Sequence, residues 1–463
     1  MYLETLQQSA RTKTVKALLM GAGEYGFSFL AQSRRTPGLR VAAVYARRVE
    51  RGVAAFRHAG LPEEAIRTCG NLAQAQAALA AGKVVVSDDA LMLMQLPIDI
   101  VVESTGAPEA AALHADAALR NGKHVAMVSK EPDSVVGPLF HQRAKAAGLV
   151  YTPVDGDQPS LLMQLVVWAR VLGLEILCAG KTSEYDFVYD PAAKRLTSLD
   201  RVADAVGVDA LWEFGGRDIR SVVNARAAAL TAIPQHTVPD LVEMGLVANA
   251  TGLAPDTSDF HAPIARTPEI ADVLVPTEMG GILHGTGRVD VVNSLRRPDE
   301  ASFAGGVFVV VRCEDRKSWE VLRAKGHVVN RTGDAAMIYR PSHLLGVESA
   351  TTVLSAVLHG RSSGPDDMQP RFDVVGKTNK PLPAGTILEA TGHHHQIDGV
   401  DGLLVPARAA TGANPIPFYL MAGNRLLRDA PAGTVIAAEM VEPPKESLLW
   451  ALRRQLEEAF RLS

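Results

Sequence analysis

The chain has 463 residues, 47% of them apolar and 21% charged, with 47 Lys and Arg against 51 Asp and Glu. Single hydrophobic cores stop growing near roughly 250–300 residues, so a multidomain globular protein is expected. A formal charge of -4 leaves no cationic excess to hold a nucleic acid backbone or an anionic membrane surface, and neither is an expected partner. Cys69, Cys178 and Cys313 lie far apart without C-x-x-C spacing. This points to reduced thiols and a cytoplasmic setting rather than a disulfide frame or a zinc site. The opening MYLETLQQSARTKTVKALLMGAGEYG has no long apolar run ahead of a cleavage site, and no later uncharged apolar stretch reaches the ~18 residues of a membrane span.

In chain order, VKALLMGAGEYGFSFLAQS predicts a buried strand, then Gly21-Ala22-Gly23-Glu24-Tyr25-Gly26, then a helix with Phe27, Phe29 and Leu30 on one side. This is G-x-G-x-x-G between a strand and a helix, the setting in which glycines let backbone approach a pyrophosphate stabilised by the helix N-terminus. The next strand, LRVAAVY, runs into Tyr45-Ala46-Arg47-Arg48, with no carboxylate to hold a ribose 2'-hydroxyl. Arg47 and Arg48 suit a 2'-phosphate and favour NADP(H) over NAD; solvated arginines at the start of ARRVERGVAAFRHAG are the plainer alternative. PIDIVVESTGAPEAAALHADAALRNGKHVAMVSKE supplies another strand, the turn Ser104-Thr105-Gly106, an alanine-rich helix and a further strand. Successive strand-helix units predict an α/β fold with a doubly wound parallel Rossmann sheet. The Ser104-Thr105-Gly106 turn would line the nicotinamide side of its crevice, or simply enter a helix.

Ligands of open parallel sheets bind beyond the carboxyl ends of the strands, and three predicted strand ends carry charge. HVAMVS leads to Lys130, Glu131 and Asp133; LVYTPV to Asp155-Gly156-Asp157; LEILCAG to Lys181, Glu184, Tyr185 and Asp186. Lys130 or Lys181, with a pKa depressed by burial, would donate a proton or stabilise an oxyanion, with Glu131 and Asp157 as catalytic partners. Asp155 and Tyr185 are expected to bind substrate. Asp155 and Asp157, two apart on an extended segment, could hold Mg2+ or Mn2+. Asp157 before PSLLMQLVVWARVLG and Asp133 before GPLFHQRAKAAG equally read as helix caps.

Further on, NARAAALTAIPQHTVPDLVEMGLVANATGL predicts two helices broken around Pro234 to Pro239, and GGVFVVVRCED a strand. GHVVNRTGDAAMIYRPSHLLGVESATTVLSAVLHG predicts a hairpin turning at Asn330 to Asp334, then a helix. Arg340 and His343 could meet a phosphate or carboxylate, or serve as a cap or a satisfied buried residue. Near the C-terminus P-A-G-T-[IV]-[IL] occurs at Pro383 to Leu388 and again at Pro431 to Ile436, which suggests a small β domain. Between the two copies, His393-His394-His395 reads as a solvated loop rather than a metal site. The closing helix KESLLWALRRQLEEAFRLS puts Leu449, Leu452, Leu456 and Phe460 on a face that would dock on its own subunit or a partner.

GAGEYG, GDQPSLLMQLVVWAR, AGKTSEYD, PDLVEMGLVANATGL, GHVVN, YRPSHL and the C-terminal repeat together resemble the deoxyxylulose-phosphate reductoisomerase-like oxidoreductases. That family is related to homoserine dehydrogenases, carries a C-terminal SAF (β-clip) domain, and has a characterised member in isoprenoid biosynthesis. The resemblance covers nearly the whole chain. It implies a Rossmann domain over 1–156, an α+β catalytic and dimerisation domain over 157–366, an SAF-like β domain over 367–445 and a C-terminal helix over 446–463. It also implies NADP(H), a homodimer, and, by similarity to the lysine after the fifth strand of homoserine dehydrogenases, a role for Lys130. Ser129-Lys130-Glu131-Pro132-Asp133 departs from the isomerising member's pattern. The expected activity is thus NADP-dependent oxidation or reduction of a small polyhydroxylated or phosphorylated substrate, with or without isomerisation. A dehydrogenase of another polyol or sugar acid and a non-catalytic NAD(P)-binding sensor are the alternatives.

Overall fold

Seven short strands lie in the first third of the chain, and all but the edge strand Ile66–Thr68 are buried almost end to end, as strands covered on both faces must be. They are β1 (Val15–Met20), β2 (Leu39–Tyr45), β3 (Ile66–Thr68), β4 (Val84–Ser87), β5 (Ile100–Glu103), β6 (His124–Met127) and β7 (Tyr151–Pro153). In the computed structural model, which describes residues 2–392 and 395–463, they form one sheet in the order β3-β4-β2-β1-β5-β6-β7. Every pairing in it is parallel. The order reverses between β1 and β5, the position at which doubly wound sheets open a crevice. The glycine turn follows β1 and Ser104-Thr105-Gly106 follows β5, so both flank that crevice.

A second, mixed sheet is centred on the strand Ile176–Thr182, parallel to Arg288–Arg296 and antiparallel to Val307–Arg312. The predicted hairpin forms from Val328–Val329 and Ala335–Arg340, its turn closed by Asn330 Oδ1 accepting from the Asp334 and Ala335 amides. The helices Gln158–Val171 and Val238–Thr251 pack on each other and against this sheet. The helix Ala350–His359 returns to the first sheet and packs against β1, β5, β6 and β7. The fold is α/β: a Rossmann sheet joined to a mixed-sheet domain.

Beyond residue 370, Phe372–Thr378 pairs antiparallel with Val400–Pro406, and this ribbon lies on the helix Val238–Thr251. Both copies of the Pro-Ala-Gly-Thr repeat make the same turn. Thr386 and Thr434 each donate through Oγ1 to the carbonyl of the proline three residues back, at 2.7 Å, while Gly385 and Gly433 take φ of +87° and +86°. The repeat is thus a turn device. The helix Leu448–Phe460 buries Leu449, Leu452 and Leu456 against the helices Lys130–Ala146 and Pro108–Arg120 of the same chain. Of the histidine tract, His393 and His394 lie outside the described residues. All three cysteines are buried and free. Among the described residues no helix is long and apolar enough to cross a membrane.

Candidate functional site

The glycine turn has the form a dinucleotide needs. Gly21, at φ +104°, leaves no room for a side chain: a Cβ there would stand 2.9 Å from the Ser104 carbonyl oxygen. A Cβ on Gly26 would sit 2.5 Å from the Gly21 oxygen, so this glycine lets the helix Glu24–Ser33 close onto the turn. Gly23 differs, because a Cβ there meets nothing within 4 Å. That open space lies at the helix N-terminus, where the fold places a pyrophosphate. Arg47 and Arg48 are exposed just beyond β2, and Arg51 donates to the Ala22 carbonyl at 3.2 Å, bringing a third guanidinium to the turn. On the other wall Ser104 Oγ donates to the Met20 carbonyl (2.8 Å), Thr105 Oγ1 to Glu103 (2.6 Å), and the Gly106 amide to Ser129 Oγ (2.8 Å). These residues fit NAD(P).

Lys130 is the first residue of the helix Lys130–Ala146 rather than a strand end, and it follows the sixth strand of the chain rather than the fifth. Pro132 in the first turn needs no backbone N–H partner, so the helix starts earlier than the proline suggests. Lys130 Nζ donates to Glu243 Oε1 and lies 3.1 Å from Asp157 Oδ1. Lys181, on the central strand of the mixed sheet, donates to Glu243 Oε2 and lies 2.7 Å from Asp240 Oδ1. Glu243 therefore bridges two ammoniums, one oxygen to each. Asp240 and Glu243 stand three apart on the helix Val238–Thr251 and so share a face. Asp157 also caps the helix Gln158–Val171 by accepting from the Gln158 amide at 3.0 Å, so its capping and site roles coexist.

The pairing corrects the expectation of a depressed lysine. Burial does work against the charged ammoniums, but Asp157 and Glu243 outweigh it and hold Lys130 above the ordinary lysine value; Asp240 and Glu243 do the same for Lys181. Burial likewise opposes ionised Glu243, yet the two ammoniums bring it down to about 2. Asp157 is pushed up, by burial and by the like charge of Glu243, against the pull of Lys130.

Beside the cluster, burial raises Glu131 to about 7, and its Oε2 is buried without a hydrogen-bond partner. Its Oε1 lies 4.0 Å from where a Cβ on Gly106 would be, with His395 Nε2 3.5 Å from the same point. Glu131 thus faces the nicotinamide-side turn. Asp133 points the other way: it accepts from the Tyr151 hydroxyl at 2.7 Å, and burial lifts it to about 7. It is neither a cap nor a member of the cluster. Tyr419, from the C-terminal region, has its hydroxyl pushed up by burial, with Glu131, Lys130 and Glu243 among its electrostatic neighbours.

The other expected residues divide. Asp155 does not join Asp157 in a cation site, because its carboxylate accepts from Ser160 (2.8 Å), Gln164 (2.6 Å) and Thr351 (2.6 Å) while Asp157 turns to Lys130. Its bonds bind the segment 155–164 to the start of the helix Ala350–His359. Tyr185 is half-buried and has Glu24 of the glycine turn among its electrostatic neighbours. Arg340 is paired with Glu348 at 2.7 Å, whereas His343 holds the Gly305 carbonyl at 2.7 Å and bears electrostatically on Asp157. The residues missed from sequence are Asp240, Glu243 and Tyr419. The available signal for the first two was a pair of acids on an otherwise apolar helix.

Residues 21–151 match the family model for the NAD-binding domain of homoserine dehydrogenase, and residues 156–349 match that for the catalytic domain of the oxidoreductase DRL. The two matched regions are thus similar to an NAD-binding domain and to the catalytic domain of an oxidoreductase. Lys130 lies in the first matched region, and Asp157, Lys181, Asp240 and Glu243 lie in the second, so the cluster is assembled across the two. No curated protein matches the chain. Among solved structures, myo-inositol dehydrogenase of Lactobacillus casei with NAD(H) and myo-inositol is 18% identical, over 38% of this chain and 47% of that one, at a TM-score of 0.27. A 3-ketoreductase of Actinomadura kijaniata with NADP is 16% identical, over 39% and 51%, at 0.25. An oxidoreductase of Yersinia pestis is 17% identical, over 78% and 91%, at 0.34. The chain spans about half the length of the first two.

Proposed function

We propose that this oxidoreductase uses NADP(H) to interconvert a carbonyl and an alcohol on a small polyhydroxylated or phosphorylated substrate held against the Lys130–Glu243–Lys181 cluster. One observation carries the reading: two ammoniums bridged by one buried carboxylate lie where the two matched regions meet, and only Lys130, with 29% of its side chain exposed against 3% for Lys181, opens outward. When bound, NADP(H) supplies or accepts the hydride. Lys130, held charged, stabilises negative charge developing on the substrate oxygen. Lys181 neutralises and fixes Glu243, and Glu243 in turn positions Lys130. Glu131, half-ionised near neutrality, gives or takes the proton at that oxygen. Asp157 and Tyr185 contact substrate hydroxyls. Arg47 and Arg48, with no carboxylate beside them, favour the 2'-phosphorylated coenzyme.

The reading stops at hydride transfer and needs no isomerisation, so deoxyxylulose phosphate is one member of the substrate class. The paired Pro-Ala-Gly-Thr turns support assigning the C-terminal region to an SAF-like module that closes the site through Tyr419. The test is a screen of NADP(H) absorbance against phosphorylated ketoses, polyols and sugar acids, with and without Mg2+ or Mn2+, followed by Lys130→Ala on whatever turns over. The variant should bind NADPH as the parent does and lose roughly 100-fold or more in kcat, the scale of removing a preorganised donor to an oxyanion. No turnover in any arm, or turnover untouched by the substitution, returns the protein to a coenzyme sensor.

A further inference from the structure

At the far end of the central strand of the mixed sheet lies a group of side chains that the hydride-transfer reading does not use. Arg288 pairs with Cys178, three residues before the level of Lys181 and Val291, hence about 10 Å along the strand from the lysine cluster. There the Asp256 side chain is fully buried, and its Oδ2 lies 2.8 Å from both His261 Nε2 and His284 Nδ1. Arg288 Nε lies 3.1 Å from the other oxygen, Oδ1, and the His284 amide donates to both oxygens. Among the described residues this is the one group of three such donors whose ligand atoms all fall within 4.8 Å of one another.

The backbone around His261 carries a second sign. Phe260 and Ala262, both buried, take φ of +63° and +42°, the left-handed region that L side chains rarely adopt. Such conformations persist only where the surroundings over-determine them, and they gather at ligand sites. Here the buried carboxylate of Asp290 accepts from the amides of His261 (3.2 Å) and Ala262 (3.0 Å) and so fixes the direction of the imidazole.

We propose that Asp256, His261 and His284 form a separate binding site for a divalent transition-metal ion of the zinc class. Two imidazole nitrogens and one carboxylate oxygen suit Zn2+ or Co2+ better than the all-oxygen preference of Mg2+ or Ca2+. Arg288 holds the outer oxygen of the carboxylate and the His284 amide spans both oxygens, outer-shell support of the kind that orients a ligating carboxylate. Tetrahedral bonds of about 2.0–2.2 Å put donor atoms about 3.4 Å apart. The two 2.8 Å contacts therefore need to open by only about half an ångström, with release of the proton each shares. His284, 60% exposed, leaves the remaining coordination positions to solvent. Arg288 offsets the carboxylate charge and makes the site weaker than the same ligands without it.

The test uses the full-length chain, stripped with a chelator and titrated with Co2+ while visible d–d bands are recorded, then with Zn2+ in competition. One Co2+ per chain is expected, displaced by Zn2+. Affinity should fall more than ~100-fold in both His284→Ala and His261→Ala, beyond the usual cost of an outer-shell loss. NADPH binding, unchanged in both variants, keeps this outcome separate from the fate of the hydride-transfer reading. His284 is exposed enough for its variant to fold. Absence of a stoichiometric Co2+ spectrum, or equal binding by parent and His284→Ala, overturns the proposal and leaves a hydrogen-bonded network only.

Discussion

Glu131 and Asp133 stand in the first turn of one helix, and burial drives both to about 7, yet their surroundings give them different work. Glu131 turns Oε1 toward the Gly106 turn and keeps Oε2 buried without a hydrogen-bond partner, so its ionisation should appear in the rate. Glu131→Gln is expected to remove an inflection near pH 7 from the kcat profile while leaving NADPH binding unchanged; an inflection that survives assigns it to another group. Asp133 spends its proton on stability. The unfolded chain loses that proton near 3.8 and the folded chain near 7, so the folded state holds more protons between these values. Stability from this residue therefore falls as pH rises from about 4 to about 7, by at most about 4 kcal/mol. Asp133→Asn keeps an acceptor for the Tyr151 hydroxyl. It should flatten Tm against pH over that window and raise Tm at pH 8, as thermal unfolding at several pH values would reveal.

At the scale of elements, the glycine turn separates folding from binding. Gly26→Ala drives a methyl into the Gly21 carbonyl, a backbone atom that cannot step aside, so the loop should lose both stability and NADPH. In Gly23→Ala the methyl enters open space, at a φ of -86° that alanine tolerates. Its Tm should be unchanged or slightly higher, because alanine lowers the entropy of the unfolded chain. NADPH Kd should nevertheless rise about tenfold or more, since the methyl takes the place of the approaching pyrophosphate; calorimetry on the folded variant decides. This turn was legible because strand, glycines and helix are local signals. Lys130 was legible as charge after an apolar strand, but its partners were not. Asp240 and Glu243 look like solvent-facing acids within PDLVEMG, and only a strand some sixty residues earlier in the chain, carrying Lys181, turns that face inward. The direction of the lysine shifts failed for the same reason: burial could be inferred from neighbours in sequence, whereas the opposing carboxylates arrive from other segments.

Over the whole molecule, the C-terminal region is fastened to the helix that begins with Lys130. Along that contact Arg453, almost fully buried, donates to Asp373 Oδ1 and Oδ2 at 2.7 and 2.6 Å, to Glu457 at 2.8 Å and to the Arg408 carbonyl at 2.7 Å. One guanidinium thereby joins the closing helix to the ribbon lying on the helix that carries Glu243. Arg453→Met retains much of the apolar stem but strands two buried carboxylates, which should cost about 3–5 kcal/mol in denaturant unfolding. Adding Asp373→Asn to Arg453→Met removes one of the stranded charges and should recover part of that loss. If the closing helix acts only as a cover, the single variant will keep full kcat at temperatures where it remains folded. If it also steadies the first turn of the helix Lys130–Ala146, kcat will fall while NADPH binding stays intact. The second outcome is expected, because Leu449, Leu452 and Leu456 pack directly along that helix and Tyr419 reaches the same cluster from the adjoining segment.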